Sequence, residues 1–137
     1  HPKKSKPTMQ KLPPNIAVIL VDHGSRIDAA NEMLLDVAKM YAETSATQVV
    51  EPAHMELAPP TIADALQRCV DRGAKTVIVH PYFLFPGRHS TQDIPSMAEE
   101  AAQAFPDVTV KVTQPLNIDP AIGPIIQTRI LDCLNDA

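Results

Sequence analysis

Four short apolar runs, separated by stretches of helical period, constrain this chain more than any other feature. Ile16-Ala-Val-Ile-Leu-Val21 is the first. Its lack of polar alternation suits a strand buried on both faces of a parallel sheet. Asp22-His-Gly-Ser25 breaks the run. From Ile27 or Asp28 onward, Ala30, Met33, Leu34, Val37, Met40 and Tyr41 recur at three and four, which predicts a helix with that face inward. Residues Gln48–Glu51 form the second expected strand, and Pro52 to Pro60 a loop holding His54 and Glu56. A second helix is expected from Thr61 to Arg72, with Thr61 and Asp64 at capping-box spacing and Gly73 closing it. Its inner stripe is Ile62, Ala65, Leu66, Cys69 and Val70.

Thr76-Val-Ile-Val-His80 is the third strand, with Pro81 to His89 as its exit loop. A third helix begins between Ser90 and Pro95. Proline is comfortable in a first turn, which favours Asp93 as the cap. Met97, Ala98, Ala101, Ala102 and Phe105 make its inner face. Val108–Val112 is a fourth strand. A last helix aligns Ile122, Ile125, Ile126, Arg129, Ile130 and Cys133 on one side. Cys69 and Cys133 then read as core thiols. The order β-α-β-α-β-α-β-α, with crossovers long enough to be right-handed, predicts an α/β, flavodoxin-like, doubly wound four-stranded parallel sheet. The strand order expected is 2-1-3-4.

At 137 residues the chain suits one domain with a real core. Hydrophobic residues at 45% and charged residues at 20% exclude a collagen-like or disordered chain. No apolar run approaches the roughly 18 residues of a spanning helix, so no membrane role is expected. Two cysteines make neither a disulfide framework nor a four-thiolate site, which fits a reducing compartment. Net charge is −4, yet residues 1–14 carry four lysines and no acid, leaving −8 on the remainder. An acidic body with 4% aromatics argues against nucleic acid as a partner. Residues 1–14, basic and proline-rich, are expected to form a flexible arm beside a single domain at 15–137. A targeting remnant, a tag and a natural arm all stay open for that segment.

In a doubly wound sheet the chemistry lies outside the carboxyl ends of the strands. The first exit carries Asp22, His23, Gly24, Ser25 and Arg26; the second Glu51, His54 and Glu56; the third His80, Arg88 and His89. Four of five histidines thus fall on one expected edge, where two imidazoles and a carboxylate would suit a divalent metal. Each has a plainer reading. His23 and His89 could be turn or solvated residues, Glu56 a surface carboxylate, and His54 and His80 structural. Arg26 and Arg88 could hold substrate carboxylates or simply be solvated. There is no phosphate loop, no dinucleotide fingerprint and no nucleophile elbow, so a nucleotide-driven reaction is not expected.

Three segments carry a family resemblance: Val21-Asp-His-Gly-Ser-Arg26, Glu51-Pro-Ala-His-Met-Glu-Leu57, and His80 through Pro95 with its Arg88-His89 pair and Asp93-Ile-Pro step. They resemble the small sirohydrochlorin chelatases, class II chelatases that insert Fe²⁺ or Co²⁺ into sirohydrochlorin without ATP. The resemblance runs from about Ile16 to Asp132. It implies a chelatase-like domain with His23, Glu56 and His89 as the catalytic and metal-handling residues. A further histidine of some relatives is here Gln92. It also implies a homodimer, since larger members hold two such units across a cleft. No permanently bound cofactor is expected, and no iron–sulfur cluster, which plant relatives associate with a cysteine-rich tail. Either a bacterial cytoplasm or a plastid stroma is consistent.

Under that reading His23 and His89 bind the incoming ion or accept pyrrole protons, roles open to an imidazole with an ordinary pKa of about 6.5. Glu56 completes the metal site or takes a proton onward. Gly24 and Ser25 amides, Arg26 and Arg88 would meet the carboxylates of the macrocycle. Three rivals stand beside it. They are a carrier of metal or tetrapyrrole without turnover, a nickel chelatase for a related tetrapyrrole, and a flavin binder, which Tyr82 and Phe83 support only thinly.

Overall fold

A computed structural model of the chain describes residues 9–136. Its elements are β1 (Ile16–Asp22), α1 (Asp28–Ser45), β2 (Val50–His54), α2 (Ile62–Asp71), β3 (Thr76–Pro81), α3 (Ile94–Ala102), β4 (Thr109–Val112) and α4 (Gly123–Asn135). A π-helical turn, His89–Asp93, runs into α3, and a 3-10 turn, Pro120–Ile122, runs into α4. All ladders are parallel and the strand order is β2-β1-β3-β4, as expected. The carboxyl ends finish together: Asp22 is opposite His54, and Val21 is opposite Pro81. Residues 9–14 carry neither helix nor strand, and residues 1–8 of the expected arm lie outside the described residues.

Alternation along the strands divides the core. Ala17, Ile19, Val21, Val77 and Val79 pack against Leu66, Cys69, Ile94 and Ala98 of α2 and α3. Val18 and Leu20 face the other way, onto Leu34 and Ala38 of α1. The α2 cap is as expected: Thr61 Oγ1 accepts from Asp64 N at 3.1 Å and Asp64 Oδ2 accepts from Thr61 N at 3.0 Å. Gly73, at φ +91°, carries the chain out of the helix.

Expectations for four elements are corrected. Strand β2 starts two residues late and continues through Pro52, so His54 ends a strand instead of lying in a loop. Strand β2 is an edge, where a proline's missing N–H costs no ladder bond. In α1 the buried stripe runs through Leu34 and Ala38 with Val37 and Tyr41 beside it, while Met33 and Met40 are 67% and 51% exposed. Two neighbouring apolar stripes exist on this helix, and periodicity alone does not rank them. Asp93 does not cap α3; its backbone is helical, at φ −70°, inside a continuous π-to-α run. Pro95 cannot donate to a preceding carbonyl, and the wider π turn just before it accommodates the ring. Finally, α4 has the apolar stripe the sequence shows, but none of its residues is buried, and Cys133 is exposed.

Candidate active site

The first strand exit turns at Gly24, φ +95°, where an added β-carbon would lie 1.9 Å from the Glu56 carbonyl oxygen. Only glycine lets these two loops touch there. Backbone bonds hold them together: Met55 N donates to Asp22 O at 2.8 Å, and Glu56 N donates to His23 O at 3.1 Å. Beneath them His54, 3% exposed, donates from Nδ1 to Asp22 Oδ1 at 2.6 Å. This pair fastens the ends of β1 and β2 side by side, the structural role that was one of two open readings of His54.

The result is one contact between loops. His23 Nε2 lies 3.0 Å from Glu56 Oε1. His23 Nδ1 is 3.3 Å from the Gly24 carbonyl, which can only accept. A proton therefore lies on the line between Nε2 and the carboxyl oxygen. The third loop brings His89, whose ring centroid is 4.9 Å from that of His23 at an interplanar angle of 69°. His89 Nδ1 donates to Asp93 Oδ2 at 2.9 Å, which leaves Nε2 as the nitrogen with the lone pair. The π turn makes this possible by presenting both residues from one short helical segment.

The three sequence-selected residues thus come from three strand exits to one rim. Their side chains are half-exposed, at 42%, 51% and 48% for His23, Glu56 and His89. No group of three His, Cys, Asp or Glu is preset as a closed metal cluster among the described residues. The carboxylate is turned onto His23 instead. The main hollows lie elsewhere, about 350 Å³ between Leu12–Ala17 and Arg72–Ala74, and about 510 Å³ between α2 and α3. The trio stands on an open rim.

Other candidates fall differently. Arg26 and Arg88 are exposed, and no carboxylate pairs with either among the described residues. Ser25 is already committed. Its amide, expected to meet substrate, donates to Asn31 Oδ1 at 2.9 Å, and its hydroxyl accepts from Ile27 N at 3.0 Å. His80 is outside the trio, with Nδ1 2.7 Å from Thr113 Oγ1. Burial pushes its pKa down, against a raising hydrogen bond from the Gln114 backbone. Asp93 and Asn31 were not singled out as functional from sequence. Asp93 had a signal, four residues after His89 on a helix. Also unremarked was the apolar ring of Ile27, Leu57, Leu84 and Phe85, all exposed in the loops of this edge.

Fold and rim together define a doubly wound parallel α/β unit with two imidazoles and a carboxylate gathered at the carboxyl edge of its sheet. A family model described as CbiX matches residues 17–133, and the chain belongs to that family. It is 47% identical over 118 residues to the chloroplastic sirohydrochlorin ferrochelatase of Arabidopsis thaliana, covering 86% of this chain and 52% of that one. It is 41% identical over 81 residues to the sirohydrochlorin cobaltochelatase of Methanocaldococcus jannaschii, covering 59% and 57%. Among solved structures, SirB from Bacillus subtilis with Fe³⁺ superposes with a TM-score of 0.79 at 28% identity, covering 86% of this chain and 47% of that chain. The chain spans about half the length of these proteins. No helix among the described residues is long and apolar enough to cross a membrane.

Proposed function

We propose that this chain inserts a divalent metal, Fe²⁺ or Co²⁺, into sirohydrochlorin without ATP. The observation that carries the reading is the meeting of His23, Glu56 and His89 on one rim. Metal insertion removes two pyrrole protons and strips water from an ion, so it needs neutral nitrogen donors and a proton acceptor in one place. Adjacent ligands of an octahedral ion on bonds of about 2.1 Å stand about 3 Å apart, the separation of His23 Nε2 and Glu56 Oε1. The proton now between them leaves as the ion arrives. His89 supplies Nε2 as a second neutral donor. When the ion passes into the macrocycle, the vacated His23 and Glu56 take the pyrrole protons.

Arg26 and Arg88 are placed to meet carboxylates of the macrocycle, and the exposed apolar ring to meet its flat face. A macrocycle needs a wall on each side, so a second copy of the chain closes the chamber, and the partners are sirohydrochlorin, the ion and that copy. The metal is substrate, with no permanently bound cofactor in this reading. A plastid stroma is the favoured location, since the Arabidopsis relative is a chloroplastic ferrochelatase.

The test is anaerobic. Purified protein, sirohydrochlorin and Fe²⁺ or Co²⁺, run side by side, are followed by absorption. Faster metallation than the uncatalysed reaction is expected, and none would sink the reading in favour of a carrier. His23→Ala and His89→Ala should each lower the rate by about 100-fold or more, with unchanged far-ultraviolet circular dichroism.

A further inference from the structure

His23 and His89 share one rim but are held differently. Nε2 of His23 faces Glu56 Oε1 at 3.0 Å, and its Nδ1 has only the Gly24 carbonyl, at 3.3 Å. His89 is held from behind. Its Nδ1 lies 2.9 Å from Asp93 Oδ2, and no protein group bonds its Nε2 among the described residues. The backbone beneath this pair is fixed as well. Ser90, which is buried, accepts from Gly87 N at 3.0 Å, and Thr91 Oγ1 donates to Gly87 O at 2.7 Å. Ile94 N donates to His89 O, the bond that opens the turn to π width. Single π turns inside helices recur at functional sites.

Both members of the pair are partly exposed, and an exposed ion pair adds little to stability. Its consequence is for the ring. A carboxylate only accepts, so it keeps the proton of a neutral imidazole on Nδ1 and the lone pair on Nε2. Without that partner nothing holds the lone pair there, and a proton on Nε2 would turn an N–H toward the ion. His89 is thus ready for an ion without losing a proton, as His23, engaged with Glu56, is not. We propose that Asp93 is a positioning residue for metal binding at this rim, setting the tautomer and angle of His89 so that its Nε2 receives the incoming ion. This division of labour rests on the function proposed above, which leaves the two imidazoles equal. Removing a carboxylate that orients a ligating histidine lowers metal affinity or activity by about 10- to 100-fold.

The test uses the full chain, its histidine rings labelled with nitrogen-15, at pH 8 without metal. The His89 signals, identified by their loss in His89→Gln, should show the proton on Nδ1. In Asp93→Ala the proton should move to Nε2 in a measurable share of molecules, with the His54 and His80 signals unmoved as the mark of an intact fold. Co²⁺ alone is then titrated, and its dissociation constant should rise by about 10- to 100-fold in the variant. The metallation rate at saturating sirohydrochlorin should fall by a similar factor, with KM for sirohydrochlorin unchanged. Asp93→Leu, which also lacks an acceptor, carries the same expectations if the alanine variant fails to fold. A proton on Nε2 in the unaltered chain would overturn the proposal. So would a folded variant that keeps the tautomer or the Co²⁺ affinity. A raised KM for sirohydrochlorin with unchanged kcat would overturn it too, because Asp93 would then be a substrate contact. If the variants lose Co²⁺ affinity as expected but the unaltered chain metallates nothing, the role of Asp93 stands and the insertion reading falls.

Discussion

On the α2–α3 side of the sheet, Ile19, Val21, Val77 and Val79 are fully buried. On the other side, Val18 and Leu20 are buried beneath α1, while Ile78, on the same strand as Val77 and Val79, is partly open. The residue types are alike, and β3 contributes to both faces. The difference lies in cover: two helices on one side and one on the other. The first face holds the fold together; the second is left partly open. Amphipathic pattern therefore marks a strand residue for burial without fixing how completely its face is covered.

The sharpest way to test this contrast is to truncate one side chain on each face. Leu66→Ala, on the finished face, should cost about 2–5 kcal/mol, read by urea denaturation. Ile78→Ala should cost less, about 1–2 kcal/mol, because a partly exposed side chain has less buried surface to lose. Equal costs would mean that the second face is already closed.

Gly24→Ala comes next, and it probes the edge where both faces end. The added carbon would meet the Glu56 carbonyl at 1.9 Å, in a backbone region alanine rarely adopts. Strain of about 1–3 kcal/mol is expected. The loops must part to relieve it, so the metallation rate should fall by about 100-fold or more, as for loss of a catalytic base. A variant with normal rate would show that the His23–Glu56 contact is dispensable.

Thiol chemistry reports the two faces with no change to the core. Burial, with the Glu51 charge adding and Arg72 opposing, raises the Cys69 pKa to about 12. At pH 8 only about one molecule in ten thousand then holds the thiolate. Cys133, on α4, is exposed. One thiol per chain should react promptly with a disulfide reagent and the second only in denaturant. Slower reaction of Cys133 at high protein concentration would place α4 in an interface.

What could be read from sequence follows the same division. Strand order, α2 and its caps were legible because each depends on local spacing: Thr61 with Asp64, Gly73 at the stop, and apolar runs between helices. Strand exits in a parallel sheet share one edge, which grouped His23, Glu56 and His89 together with His54 and His80; the family resemblance, not spacing, singled out the three. The failures need three dimensions. Met33 and Leu34 are adjacent in sequence, and only packing against Val18 and Leu20 selects the second. Ile126 and Cys133 have inward spacing, yet α4 buries none of its residues, because a helical period does not say whether a helix docks on its own sheet. The Ser25 amide is taken by Asn31, six residues on, and Asp93, though four residues after His89, reaches it through a π turn that spacing alone does not reveal.

The smallest expected effect is at His80, on the open face. Desolvation lowers its pKa from the ordinary 6.5, with the Gln114 backbone bond working against that. In the folded chain the neutral ring is thus favoured more than in the unfolded chain. The stabilising contribution is complete above about 6.5 and is lost as pH falls from there through the folded value. Stability measured against pH should decline gently below 6.5, and His80→Gln, which keeps a partner for Thr113, should flatten that part of the curve. The ring proton followed by NMR should titrate below 6.5. Covering the β3–β4 face removes more water from this imidazole, so its midpoint should move lower still as protein concentration rises and copies pair. A midpoint at or above 6.5, unmoved by concentration, would mean that the ring is well solvated and that nothing lies down on this face.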